Sequence, residues 1–383
     1  MRAPGATVRL EVRPIELRQD HGDFVRFQWR IYEEDPRWVA PLLWERKTFL
    51  HPDKNPFFQN AEVQAFMAFR DGEAVGTIAA TVDHNLNRVE PATGLFGFFE
   101  FIDDEQVARA LLHRALDWLG AQGMDEARGP CSFNLHHEAG LLVEGLNTDP
   151  VVLTPHNPSY YEGIYLALGL RPVQDLYGWW IEGDAVPERM VRVARRVEER
   201  HPNLALRPLN LGNFQGELDH ARDLFNEAWS ANWGHAPIPE EEFNGLAKGL
   251  RAMMHPRLSW FVEEEGRPVA MAIVLLDFNQ AIKPMKGHLW PFGWYHLARG
   301  RRRIDQGRVF LLGVRPSHQH IPIGALLYNR IWEEALALGL KGAEASWVLE
   351  SNHRMNRALE KLGARRYKTW RLYSIQLRPQ TVF

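Results

Sequence analysis

The sequence predicts a mixed α/β fold built twice in tandem, and three observations lead there. With 383 residues the chain is too long for one ordinary core and suits two domains of roughly 200 residues each. Its apolar residues switch repeatedly between strand-like and helix-like spacing. One order of elements also recurs in both halves, which points to duplication rather than to two unrelated domains.

In the first half VRLEVRPIEL reads as a strand and DFVRFQWRIYEE as a helix. VQAFMAFR and AVGTIAATV are strands flanking the turn Asp71-Gly72-Glu73. Strand GLFGFFEF, helix QVARALLHRALDWLGAQG, strand DEARGPCSF, helix SYYEGIYLALGL and strand VQDLYGWWIE complete it. The second half repeats the order. LALRPLNL is a strand, and Glu217 to Trp229 is helical. LSWFVEEE and VAMAIVLLDF form a hairpin across Glu265-Gly266-Arg267-Pro268. After a long insert come strand RVFLLGV, an amphipathic helix GALLYNRIWEEALALGL ended by Gly342, strand AEASWVLE, helix NHRMNRALEKLG and strand RRYKTWRLYSIQL. The expected division is residues 1–182, a linker helix at 183–203 that Pro187 opens and that reads as a solvated connector, and residues 204–383.

Composition narrows the class. A hydrophobic fraction of 45% and a charged fraction of 24% are ordinary for a globular protein. A net charge of -3 argues against a dedicated nucleic-acid binder, which needs a strong positive field. The lone cysteine, Cys131, excludes an intramolecular disulfide and a cysteine-based metal cluster. No segment resembles an export signal or approaches a membrane-spanning length, so the expected location is the cytoplasm. The 14 Trp and 20 Phe are assigned mainly to packing.

The informative segment is GVRPSHQHIPIGALL, Gly313 to Leu327, which ends a buried strand and opens a helix. The first N–H groups of a helix lack internal partners, and the helix dipole adds partial positive charge there, so the junction suits a diphosphate. Gly324 would let the backbone approach such a ligand closely.

Val314, Pro316, Gln319, Gly324 and Leu327 fall in the register of a strand ending V-x-P followed by Q/R-x-x-G-x-G/A and an apolar helix. In this the chain resembles the GNAT superfamily of acyl-CoA N-acyltransferases. A second family signature, an asparagine ahead of a Leu-Gly pair, matches Asn352 with Leu362-Gly363. The resemblance implies two tandem GNAT domains of mixed sheet, the first degenerate and the second binding acetyl-CoA or another acyl-CoA as co-substrate, with no metal. It implies that Leu312 and Val314 pair with the pantetheine amides, and that Gln319, His320, Ile321, Ile323, Gly324 and Ala325 hold the diphosphate, with Asn352 beside them. Pro322 departs from the family loop. It has no N–H, and one lost bond to a charged group is worth roughly 1.5 to 3 kcal/mol.

The corresponding junction of the first half, EFIDDEQVARALL, has Asp103, Asp104 and Glu105 and no glycine. Asp103 and Gln106 suit a capping box, and the carboxylates would repel a diphosphate, so no CoA is expected there. Asn157 and Tyr165 remain in this half. The resemblance would make a tyrosine at that place the proton donor to the leaving thiolate, but the second half has Leu359 instead.

An acyltransferase must align an amine with the thioester, remove a proton and stabilise an oxyanion. Leu311 and Trp347 occupy the places where the family often has a carboxylate base. Glu350 is the substitute, acting through water, with a plain surface carboxylate as the other reading. His318 and His320 flank the loop and suit phosphate or solvent contact equally well. Asn232, Trp233 and His235, in SANWGH, are the acceptor-site candidates. The insert at 279–308 mixes Trp290, Phe292, Trp294 and Tyr295 with Arg299, Arg301, Arg302 and Arg303. It suits a lid, a contact to the adenosine 3'-phosphate, an anionic membrane, or internal packing with a solvated edge.

The leading expectation is a bacterial-type transferase moving an acetyl or other short acyl group from CoA to a primary amine of a small molecule or protein. A homodimer stays open. The alternatives are a non-catalytic acyl-CoA sensor or scaffold, and an aminoacyl transferase resembling the Fem family, against which the intact Gln319 to Gly324 register argues.

Overall fold

The computed structural model describes residues 9–19, 21–291 and 293–377; Phe292 lies outside them. In the first half the strands are β1 Leu10–Ile15, β2 Ala61–Arg70, β3 Glu73–Asp83, β4 Thr93–Phe101, β5 Glu126–Gly129, β6 Leu141–Glu144 and β7 Arg171–Glu182. Its helices are α1 Gly22–Ile31, α2 Leu43–Leu50, α3 His84–Val89, α4 Glu105–Ala121 and α5 Tyr161–Ala167, and α6 Glu188–Arg200 joins the halves. The second half has strands β8 Leu204–Pro208, β9 Met254–Glu264, β10 Arg267–Leu276, β11 Gln306–Val314, β12 Gly342–Leu349 and β13 Arg365–Gln376. Its helices are α7 Phe214–Ala228, α8 Glu240–Leu250, α9 Asn279–Ile282, α10 Gly293–Arg301, α11 Gly324–Ala337 and α12 His353–Lys361.

The duplication is visible in matching local detail. Both halves turn their hairpin on two residues in the left-handed region, Asp71-Gly72 at φ 51° and 86° and Glu265-Gly266 at φ 50° and 78°. That pairing suits the right-handed twist of the flanking strands. Local chemistry also moves several expected boundaries. Asp104, not Asp103, caps α4, its carboxylate accepting from the Gln106 and Val107 amides. Helix α11 stops at Ala337 because Gly339 takes φ 80°, and Gly342 begins β12. Strand β5 stops at Gly129, since Pro130 has no N–H to donate. Helix α6 keeps the solvated outer face expected of a connector, but Met190, Ala194 and Val197 are buried in the second-half core. Helices α2 and α8 and strand β6 are absent from the elements read in the sequence.

All strands join one sheet in the order β1-β2-β3-β4-β5-β13-β7-β12-β11-β10-β9-β8, with β6 also paired to β13. Each closing strand therefore lies between the last two principal strands of the other half. β7 pairs with β12 and β13, and β13 pairs with β5 and β7. The cores follow the strands: Tyr373 of β13 packs in the first-half cluster, while Trp179 and Ile181 of β7 pack in the second.

Candidate active site

Strands β11 and β12 run parallel from Gln306↔Gly342 to Val309↔Ala345, and their pairing ends there. Each arm carries an irregularity there: β12 has one extra residue between Ala345↔Trp179 and Val348↔Tyr177, and β11 has one at Phe310. Opposite β10, Ile273 faces Leu311 while Val274 faces Val309, so Phe310 is an extra residue that bends β11 away. Beyond the bend β11 continues beside β10 as far as Val314↔Ala270, and β12 beside β7 as far as Leu349↔Leu176. The strands thus form the arms of a V, with Leu312 and Val314 on one arm and Val348 and Leu349 on the other.

The first half starts the same way, with β4 and β5 paired from Thr93↔Glu126 to Leu95↔Arg128. Its V is closed by backbone. Cys131 N donates to Phe96 O at 2.9 Å, and a Cβ on Gly97 would lie 1.6 Å from the Cys131 carbonyl oxygen. Tyr165 is buried among Phe96, Phe99, Phe101 and Tyr373, and Asn157 clamps β6 through the Leu142 amide and carbonyl. The first-half residues that echo the second are thus occupied in packing.

At the open end of β11 the loop is fastened from several sides. The Arg315 guanidinium is buried against Glu227 and donates from Nε to Pro268 O at 2.7 Å. His318 Nε2 lies 3.0 Å from Glu264 Oε2. Gln319 donates from Nε2 to Val314 O at 3.2 Å, and Arg354 donates to its carbonyl. The amides of Ile321, Ile323 and Ala325 close tight turns onto His318 O, Ile321 O and Pro322 O at 3.0, 2.8 and 3.0 Å. Those of His320 and Gly324 have no partner among the described residues. The side chains of Ile321 and Ile323 are core residues under the loop. A Cβ on Gly324 would meet only Leu312 Cδ2, at 3.9 Å. Neither packing nor backbone conformation demands a glycine there, and it leaves the space above the first turn of α11 clear. Asn352 caps α12, its Oδ1 accepting from Met355 N at 3.1 Å. Glu350 is exposed at the end of β12.

The acceptor candidates lie between the halves. Trp233 packs with Trp347 and Leu349 on the cluster of Cys131, Leu142, Leu176 and Trp370, and the Arg128 guanidinium carbon stands 5.4 Å from its ring centre. His235 faces His136 at 5.9 Å and Phe225 at 5.5 Å. Burial holds His235 and His136 down at about 4, so both are neutral near pH 7. The buried indole N–H of Trp347 has no partner among the described residues. Asn232 belongs to the same turn, its amide bonded to Trp229 O.

Sequence reading passes over a buried polar cluster at the vertex of the V. Arg308 donates from Nε to Ser346 Oγ at 2.9 Å and from Nη1 to Val152 O and Leu153 O at 2.9 and 2.8 Å, with its guanidinium carbon 4.7 Å from the Trp347 ring centre. Ser346 and Tyr367 both donate to Glu344. Lys368 Nζ lies 3.8 Å from Glu344 and donates to Asp149 O at 2.7 Å. Asp277 accepts from the Val152 and Asn279 amides at 2.9 and 3.2 Å. Burial pushes its carboxyl up to about 7 and lowers the Arg308 guanidinium to about 10. The signal in sequence is a single charge inside each of two apolar strands, Arg308 in β11 and Glu344 in β12, since a buried charge must be paired; Lys368 is one of four basic residues in β13 and does not stand out.

Residues 218–364 match the family described as "Acetyltransferase (GNAT) family". The chain is 36% identical over 377 residues to the bacterial ceramide synthase of Caulobacter vibrioides (strain NA1000 / CB15N), spanning 95% of this chain and 97% of that one. It is 34% identical over 379 residues to protein YghO of Escherichia coli (strain K12), spanning 96% and 95%. Among solved structures, a tandem GNAT protein from the clavulanic acid biosynthesis pathway superposes with a TM-score of 0.59 at 13% identity, covering 97% of this chain and 100% of that one. A GCN5-related N-acetyltransferase from Sphaerobacter thermophilus gives 0.54, also at 13% identity, with 98% and 99% covered. At such identity these two likenesses are of fold.

Proposed function

Because the chain belongs to the GNAT family of acyltransferases as a tandem two-domain member, we propose that it transfers a fatty acyl group from CoA to the primary amine of a long-chain amino alcohol. The observation that carries a single acyl-CoA site is the contrast between the two V-shaped openings: the arms of β11 and β12 part with no backbone hydrogen bond between them among the described residues, and the other opening is filled by the Cys131 backbone. The choice of a lipid amine, and of a longer acyl group than acetyl, is supported by the end-to-end similarity to a bacterial ceramide synthase, since a ceramide is the N-acyl amide of such an amino alcohol.

In this reading the free amides of His320 and Gly324 and the N-terminus of α11 hold the diphosphate, with Gln319, Ile321, Ile323 and Ala325 shaping the loop. The main chain of Leu312 and Val314 pairs with the pantetheine arm, which brings the thioester toward Phe310 and Trp347. The neutral amine attacks the carbonyl carbon, the tetrahedral oxyanion accepts a hydrogen bond from the Trp347 N–H, and the C–S bond breaks to release CoA thiolate. Glu350 receives the ammonium proton through water. Leu359 and Tyr165 are both buried in packing, so the thiolate takes its proton from solvent. Trp233 and His235 line the acceptor side, and Asn232 holds their turn.

The test is release of free thiol by the full-length protein from palmitoyl-CoA and acetyl-CoA, each with a long-chain amino alcohol or a small polyamine, in detergent. Release that needs both the fatty acyl-CoA and the long-chain amine is expected. Turnover restricted to acetyl-CoA and the small amine would overturn the lipid reading.

A further inference from the structure

The insert lies at the end of β11 opposite the loop. β11 is 9 residues long, about 30 Å at roughly 3.3 Å per residue, so the insert's base is remote from the candidate diphosphate site and from any 3'-phosphate contact. Between Asp277 and Asp305 the sequence carries Lys283, Lys286, Arg299, Arg301, Arg302 and Arg303 and no Asp or Glu, in a chain of net charge -3. Its inner side is fixed to the first half. Asn279 donates to Pro150 O at 2.8 Å, Lys283 Nζ meets Asp149 at 2.5 Å, Trp29 Nε1 donates to Lys286 O at 2.9 Å, and Leu43 N donates to Gly287 O at 3.0 Å.

Its outer side is left to solvent. Trp290 is 82% exposed and Trp294 58%, and Trp44, next to the Leu43 that holds Gly287, is 57% exposed. Arg302 and Arg303 are exposed just past α10. Indole rings beside guanidinium groups suit the headgroup level of a bilayer, where the ring meets acyl chain and the cation meets phosphate. No described helix is long and apolar enough to cross a membrane, so contact at this face is peripheral.

We propose that this face docks the protein on an anionic lipid bilayer. A bilayer needs one basic face, which this is, whereas a nucleic acid of any length would also meet the net negative charge of the rest of the chain. If the chain acylates a lipid amine as proposed above, docking leaves the CoA loop in water and turns the vertex end of the V toward the membrane. That consequence rests on the acyltransferase reading, and the docking itself does not.

The experiment is co-sedimentation of the full-length protein with phosphatidylglycerol-containing vesicles and with pure phosphatidylcholine vesicles, at low and high salt. The protein, an Arg302→Glu/Arg303→Glu variant and a Trp290→Ala/Trp294→Ala variant are compared, with circular dichroism melting as the folding control. Binding to the anionic vesicles alone, weakened by salt and reduced on the order of tenfold or more in the charge variant, with a smaller loss in the tryptophan variant, is expected. No binding, equal binding to both vesicle types, unchanged binding by the charge variant, or tighter binding to a DNA duplex at equal phosphate concentration would each overturn the proposal. Acyl transfer in detergent separates the two readings: transfer without vesicle binding removes only the docking face, and vesicle binding without transfer removes only the lipid acyltransferase.

Discussion

A side chain at Gly324 would have open space before it, so its effect should be chemical rather than steric. Gly324→Asp puts a carboxylate at the first turn of α11, where the helix dipole favours it, while repelling a diphosphate. The variant should stay folded and lose CoA-dependent thermal stabilisation, which for the native protein at about 100 times Kd amounts to about 2.7 kcal/mol. Asp104→Ala removes a helix cap and the Arg70 ion pair of the first half. It should lower stability by about 1 kcal/mol and leave the CoA shift intact; equal loss of the shift in both variants would mean that the halves are wrongly assigned. For Trp347→Phe, which keeps the ring and deletes the donor, kcat should fall roughly 100-fold with little change in the KM for acyl-CoA. An unchanged kcat would remove Trp347 from the oxyanion. At Asp277 burial raises the folded carboxyl to about 7, well above its unfolded value. The folded state therefore holds a proton that the unfolded state gives up, so this group's contribution to stability is lost as pH rises toward 7. Asp277→Asn, which keeps an oxygen for the Val152 and Asn279 amides, should gain Tm relative to the native protein between about pH 5 and pH 8. A relative loss at the higher pH would show instead that Asp277 is charged and paired with Lys368.

Among the elements, the two V-shaped openings differ through small local features that propensity does not reveal. Phe310 reads in sequence as one more apolar strand residue, and only its pairing shows it to be a bulge where β11 and β12 part. In the first half Pro130 ends β5 and the following backbone fills the gap beside Gly97. The carboxylates at α4 predict that no CoA binds in this half, and the closed opening is a separate physical feature of it. Gly97→Ala should therefore destabilise the protein by more than about 3 kcal/mol, because its Cβ meets backbone that cannot move as a side chain would. Gly324→Ala should change stability far less. Denaturant unfolding of the pair checks this, and a tolerated Gly97→Ala would mean that the first-half opening is not closed.

In the whole molecule, the mutual insertion of β7 and β13 makes each half's sheet incomplete without the other's last strand. Lys368, Trp370 and Tyr373, near the C-terminal end of the sequence, are fully buried at the centre of the sheet. Calorimetry of the full chain should then give one cooperative transition, with the calorimetric and van't Hoff enthalpies equal. Two separable transitions would show that the halves unfold independently despite the shared strands.

Residue order alone determined the repeated αβ pattern, the two hairpins, and the strand, loop and helix of the candidate CoA site, because hydrophobic period, turn residues and free helix-terminal amides are local properties. Tertiary structure decided which opening is bridged by backbone, which charges meet at the vertex of the other, and that each half is finished by the other. Those outcomes depend on one-residue bulges, a backbone approach at Gly97 and pairings across most of the chain, and no local window of sequence records the contacts that make them.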